Sequence, residues 1–222
     1  MPMPVVSKGC NDAFSRADQR MITNDFTTRL YISPPDIPDH CNELFTMTVY
    51  DKNGDEYNET ITSAGSSSVE LADEYEKAFS TNAGEMRIYR FGSILNHPDN
   101  ITGYGHFMHY IPSIQEWVKG KTQFYTLAKD CSIEFYADED GYNPDLITVD
   151  GIVLSKYKYT FSYMKYFKKK YGHFILPITR YGLHTIENDG NYILYVICKN
   201  VNSAYDAAAY VTGFNKRKAQ NF

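Results

Sequence analysis

The chain has 222 residues, 27 acidic against 22 basic side chains for a formal net charge of −5, 43% hydrophobic residues and 20 tyrosines. That balance excludes a disordered tail, and the negative total argues against a general nucleic-acid binder. Tyr, Phe, Val, Ile and Thr fit best on a pleated, half-buried surface, so strands are expected to dominate and helix content to be low.

Residues 1–28 are polar and weakly patterned and are expected to form an N-terminal arm. PPDIPDHC (34–41) then interrupts any strand, because proline lacks the ladder donor. LFTMTVY (44–50) alternates, DKNGDE supplies an Asn-Gly turn and YNETITS (57–63) returns, which predicts a hairpin. SAGSSS reads as a flexible connection, VELADEYEKAF as a strand or short helix, and EMRIYRFGSIL as a strand. SIQEWVKG around Trp117 predicts a helical turn. CSIEFYAD and LITVDGIVL are strands bracketing the loop DEDGYNP, and GLHTI and NYILYVICK flank ENDG, read as the turn of a second hairpin. SAYDAAAYV is read as a strand. The expected fold is an all-β, antiparallel β-sandwich spanning 29–215, either jelly-roll-like or two stacked β subdomains split near 100, with a tail at 216–222.

Charge is unevenly placed. From Gly151 to Ile186 there are six Lys, one Arg and no acidic residue, so this segment carries +7 and the remainder −12. Such asymmetry creates a local field that steers a partner. Within it, Lys156 and Lys158 alternate with Tyr157, Tyr159, Phe161 and Tyr163, a period of two that predicts a strand with rings inward and lysines outward. Single-strand nucleic-acid binders need rings exposed beside the charge, and this pattern separates them. Lys156, Lys158, Lys168, Lys169, Lys170 and Tyr171 are therefore the expected contacts for an acidic protein surface or acidic glycan, a simply solvated basic face being the plainer alternative.

Catalytic and metal motifs are sparse. His106 and His109 form H-x-x-H, but YGHFMHYIP reads as a strand, which points the two rings to opposite faces. ADEDGYNPD offers Asp138, Glu139, Asp140, Asn143 and Asp145 as hard oxygen ligands, yet lacks the EF-hand spacing; a solvated tip is the plainer reading. Glycan hydrolysis would call on Glu134 and Asp138. No nucleophile elbow or phosphate-cradling glycine motif occurs, so no cofactor is expected.

Cys10, Cys41, Cys131 and Cys198 lack CxxC spacing, and their even number predicts two disulfides in an oxidising compartment. Of the three possible pairings, Cys10 with Cys41 and Cys131 with Cys198 are expected. Asn58-Glu59-Thr60 and Asn100-Ile101-Thr102 are glycosylation sequons. MPMPVV lacks the charged start and apolar core of a signal peptide, so either the protein is cytosolic or a leader has been removed; the even cysteine count and the sequons favour the second, extracellular reading. No run of about 18 apolar residues predicts a membrane span. Tyr-Gly-His-Phe occurs at 104–107 and again at 171–174, and the same 67-residue offset relates Cys131 to Cys198, so a duplicated unit is one reading and chance in a Tyr-rich chain the other.

Tyr110-Ile111-Pro112, Thr148 to Leu154, Gly182 to Ile186 and Ala204 to Phe214 come in an order that resembles the N-terminal domain family of IgG-Fc-binding protein, over roughly residues 105–214. The resemblance implies a secreted, all-β adhesion or binding module with no catalytic residue to carry over. Tyr205-Asp206 stands where that family has Tyr-Gly, so ligand identity does not transfer. The expected function is a non-enzymatic extracellular module that binds a protein or glycan. The alternatives are a coat-like structural subunit, viral or particulate, and a glycan hydrolase.

Overall fold

The computed structural model describes residues 3, 7, 9, 10, 17–41, 45–61, 67–71, 76–81, 86–95 and 103–215. The protein is all-β and antiparallel, with only two three-residue 3-10 turns, Ile114–Glu116 and Leu154–Lys156, among the described residues. It divides into two compact units: Met1–Gly92 with Met108–Gln115, and Ser93–Phe107 with Glu116–Phe222. The division expected near residue 100 is thus an exchange of segments rather than a single cut.

The first unit is built on β1 (Asp18–Thr23), β2 (Thr27–Ser33), β3 (Phe45–Tyr50), β4 (Glu56–Ile61), β5 (Ser67–Glu70), β6 (Glu76–Thr81), β7 (Arg87–Leu95) and β8 (Gly103–Tyr110), the last two running across its boundary. They form two four-stranded sheets, ordered β1-β6-β3-β4 and β5-β2-β7-β8. Ile22, Leu30, Ile32, Phe45, Val49, Phe79 and Ile88 are buried core residues. The predicted 44–63 hairpin forms as β3–β4. The Asp51 carboxylate accepts from the N–H groups of Asn53 and Asp55 at 2.8 and 2.9 Å, and Gly54 takes φ +86°.

The arm expected over 1–28 is wrong beyond residue 17, because β1 occupies 18–23 and β2 begins at Thr27. Its polarity misleads because the buried group is a charge pair. Arg20 is 1% exposed; it pairs with the Asp18 carboxylate at 3.0 Å, donates to the Ile111 carbonyl and sits 5.0 Å from the Tyr110 ring centre. A paired, hydrogen-bonded guanidinium is the form in which arginine tolerates burial.

The second unit is an eight-stranded curled sheet made of β9 (Val118–Thr126), β10 (Cys131–Ala137), β11 (Thr148–Val149), β12 (Ile152–Val153), β13 (Thr160–Tyr166), β14 (Lys169–Ile178), β15 (Gly182–Lys199) and β16 (Ala207–Val211). β15 pairs with β9 and then β16 along one edge, and with β11 and then β10 along the other. Ile133, Phe135, Phe174, Leu176, Ile186, Leu194 and Val196 form its core, with Phe135 and Phe174 stacked at 4.6 Å. Each such side chain contributes about 1.5–3 kcal/mol by leaving water.

ENDG is not a hairpin turn. β15 is one 18-residue strand, and the four residues form an irregularity in it: Asn188 pairs with Gly120 and Asn191 with Lys119, leaving Asp189 and Gly190 extra. The bulge is held from the acidic loop. Asn188 Nδ2 donates to the Gly141 carbonyl at 2.9 Å, Gly190 N–H donates to Asn188 Oδ1 at 2.9 Å, and Asn191 donates to Asp138 from its backbone at 3.1 Å and its side chain at 2.6 Å. A side chain on Gly190 would collide with the backbone of Gly141.

Both expected disulfides form, Cys10–Cys41 and Cys131–Cys198. The second joins directly opposed residues of β10 and β15. Closing a loop of that length removes about 4 kcal/mol of unfolded-chain freedom in the entropy model. The 67-residue offset does not mark a duplication in topology: β8 is an edge strand of a four-stranded sheet, whereas β14 lies between β10 and β13.

Gly190→Ala is expected to destabilise the protein by about 2–3 kcal/mol, the scale of overpacking against a fixed neighbour. Urea unfolding measures it, with Gly213→Ala as the control because nothing lies near a Cβ there.

Candidate functional site

The basic, aromatic stretch folds into the β13–β14 hairpin, joined by a two-residue turn since Tyr166 and Lys169 are opposed. The turn residues Phe167 and Lys168 have φ of 53° and 60°. A two-residue hairpin turn of this hand favours positive φ at both positions, normally met by Asn and Gly. Phe and Lys adopt it at about 1–2 kcal/mol each. Strain of this kind points to a job for the side chains it presents.

Behind the turn is a cluster of rings around an ammonium group. Lys170 Nζ lies 3.3 Å from the Tyr163 ring centre and 5.7 Å from that of Tyr142. Tyr142 meets Tyr163 edge-on at 5.3 Å, and Phe161 meets Tyr163 edge-on at 4.6 Å. Gly172 allows this: a Cβ there would sit 2.6 Å from Tyr142 Cβ and 2.8 Å from Phe174 Cε2. Tyr163 remains 47% exposed and offers its free ring surface to solvent. Lys165 stands directly across from Lys170, a like-charge pair that disfavours the bare hairpin. Lys165, Lys168 and Lys169 are exposed and have no ion pair among the described residues.

The six expected contact residues separate. Lys168, Lys169 and Lys170 gather at the tip. Lys156 and Lys158 are exposed but precede β13, in and after the 3-10 turn, so the strand expected from Lys156 begins only at Thr160. The seven residues of β13 put about 23 Å between them and the tip. Tyr157, Tyr159 and Phe161 do pack against the core as predicted, whereas Tyr163 faces outward. Tyr171 is a correction: it is 2% exposed, edge-on to Trp117 at 5.7 Å, and offers no contact surface. Burial, with Asp138 and Glu139 adding to it, pushes its phenol up to about 12.

Other predicted groups are used structurally. His106 is exposed and His109 buried, as alternation on β8 requires. In the acidic loop, Asp138 holds Asn191, Asn143 accepts from Asp145 N–H at 3.1 Å and Glu139 from Lys170 N–H at 3.3 Å. Among the described residues, no three acidic side chains of this loop bring oxygens within 4.8 Å of one another, which disfavours the calcium reading. Glu134 and Asp138 fail as a glycosidase pair: four residues apart along extended chain is about 13 Å, beyond either catalytic spacing. Asn58 is exposed on β4, where its side-chain oxygen accepts from the Thr48 hydroxyl at 3.1 Å, and Asn100 lies outside the described residues.

Two histidine arrangements escaped the sequence because cross-strand pairing creates them. Glu134 Oε1 accepts from the Tyr136 hydroxyl at 2.8 Å and from His173 Nε2 at 3.1 Å, leaving Nδ1 to face the Ser162 hydroxyl at 3.4 Å. His184 Nδ1 faces Asp150 at 2.7 Å and Nε2 the Arg180 carbonyl at 3.0 Å, with the ring stacked on Phe124 at 5.3 Å. Asp150 also accepts from Thr185 N–H at 2.9 Å, pinning the β11–β12 turn to β15. The Asp-Gly turn in TVDGIV was the only available signal for the second.

A phenol whose folded pKa is raised stabilises the fold fully below its unfolded value of 10.0, and that share is lost as pH rises through about 12. Urea stability is therefore expected to fall between those pH values, with a shallower slope in Tyr171→Phe. An unchanged slope rejects the burial of this phenol.

No helix among the described residues is long and apolar enough to cross a membrane. No protein-family model matches the chain, and no curated protein matches it.

Proposed function

We propose that this chain is an extracellular, non-enzymatic binding module whose β13–β14 tip docks on an acidic protein surface. The observation that carries the reading is the strained Phe167–Lys168 turn, which presents a ring and a charge beside the exposed, cation-capped Tyr163. Aromatic side chains with adjacent cations are the groups that anchor interfaces, and the unpaired lysines supply long-range attraction. Two disulfides support the extracellular setting, as does the exposed sequon at Asn58. The resemblance of residues 105–214 to the IgG-Fc-binding-protein family implies the same setting.

One observation favours a second reading. The Ser162–His173–Glu134 row has the hydroxyl, imidazole and carboxylate order of an acyl hydrolase. Labelling of Ser162 by a fluorophosphonate probe, abolished in Ser162→Ala, would replace the binding reading with it.

The tip is tested on immobilised poly-glutamate at low and physiological salt. Lys168→Glu with Lys169→Glu is expected to slow association about tenfold or more at low salt, with a smaller difference at high salt. Retention equal to that of the parent at both salts rejects the tip.

A further inference from the structure

The second unit carries another surface, independent of the hairpin tip, at the disulfide end of its sheet. An open groove of about 480 Å³ is lined there by Ala128, Lys129, Asp130, Tyr181, Lys199, Asn200 and Val201. Its polar side is held rigidly. Cys131 and Cys198 tie together the strand ends beside Asp130 and Lys199, Lys199 N–H donates to the Asp130 carbonyl at 3.0 Å, and their side chains pair at 3.2 Å.

The following loop is fixed as firmly. Asn200 takes φ 55°, its N–H donates to the Asp206 carbonyl at 2.9 Å, and its side-chain oxygen accepts from Tyr205 N–H at 3.2 Å. Asp206 gathers Val201, Asn202 and Ser203 N–H groups at 2.6, 2.8 and 3.0 Å. Desolvation alone would raise its carboxyl, but those three donors hold it below the ordinary carboxylate range.

The apolar side is aromatic and open to water. Tyr181 is 61% exposed and stands edge-on to Tyr125 at 5.4 Å. The Tyr181 hydroxyl, ahead of desolvation, pushes the Tyr125 phenol above its usual range. Tyr210 braces that edge, its hydroxyl donating to the Tyr125 carbonyl and accepting from the Tyr125 N–H, both at 2.7 Å. Lys199 is already engaged, by Asp130 and by the Tyr104 ring at 5.4 Å, whereas Lys129 is exposed and has no partner among the described residues.

We infer that this groove binds a carboxylate-bearing pyranose of a glycan. A pyranose has one C–H-rich face that lies against an exposed ring, and a rim of hydroxyls that takes several fixed donors and acceptors at once. Tyr181 supplies the ring, and Asp130, Asn200 and Lys199 supply the polar rim. Lys129 is left over as the cation for the sugar's carboxylate. A pre-fixed loop adds affinity because little ordering remains to be done on binding.

Saturation-transfer NMR and calorimetry with sialyl-lactose, a glucuronate disaccharide and lactose test this on the whole chain. One or both acidic saccharides are expected to bind, about tenfold or more tighter than lactose, the worth of a charge-assisted hydrogen bond. Which of them binds identifies the source as a sialylated glycan or a uronate polymer. Lys129→Gln is expected to remove the preference over lactose, Tyr181→Ala to abolish binding, and Tyr181→Phe to retain it. Lys168→Glu with Lys169→Glu leaves sugar binding unchanged, which separates this groove from the tip. Absence of saturable binding up to about 10 mM, equal affinity for lactose, or full binding by Tyr181→Ala overturns the inference.

Discussion

An antiparallel strand has two hydrogen-bonding edges, and the second unit depends on both edges of one strand being occupied. β15 runs for 18 residues, paired to β9 and then β16 on one side and to β11 and then β10 on the other. Such a strand cannot slip by one residue without turning its whole core face, Ile186 through Cys198, outward. The bulge at Asp189–Gly190 reconciles the register of β9 with that of the strand's second half. The clasp of Asp138, Gly141, Asn188 and Asn191 keeps it in place. The hairpin tip and the groove both inherit their position from this strand, one through β10 and β14, the other through Lys199 at its end.

Much of the fold was legible. Alternation located β3, β4, β7, β10 and β16, and the Asn-Gly turn located a hairpin, because period-two burial and positive φ leave local marks. β1 was hidden because Arg20 and Asp18 pair with each other inside, and a search for apolar alternation passes over a buried ion pair. ENDG was misread because a Gly-containing bulge within one strand and a hairpin turn between two carry the same residues; only the pairing partners distinguish them. The site was legible in part. Charge located Lys168 to Lys170, but no sequence rule says that Tyr171 turns inward while Tyr163 stays out, or that β13 separates Lys156 and Lys158 from the tip.

The rings and lysines of the second unit play two physically different parts. Tyr157, Tyr159 and Phe161 pack on the core, and in Tyr157 the hydroxyl still reaches the Val149 carbonyl at 2.9 Å. Tyr163, Tyr181 and Tyr125 keep large areas in water, each braced by a neighbouring ring or, at Tyr163, by the Lys170 ammonium group. Rotamer freedom is thus removed before any partner arrives, which favours exposed tyrosine as a contact residue.

The cross-strand bond between Cys131 and Cys198 encloses the whole run from β10 through β15, including the acidic loop and the basic hairpin. A protease that cuts once anywhere inside this ring leaves both pieces covalently joined and still seated against each other in the sheet. The presented surfaces of the second unit would thereby survive a nick that would separate the halves of an uncrosslinked chain.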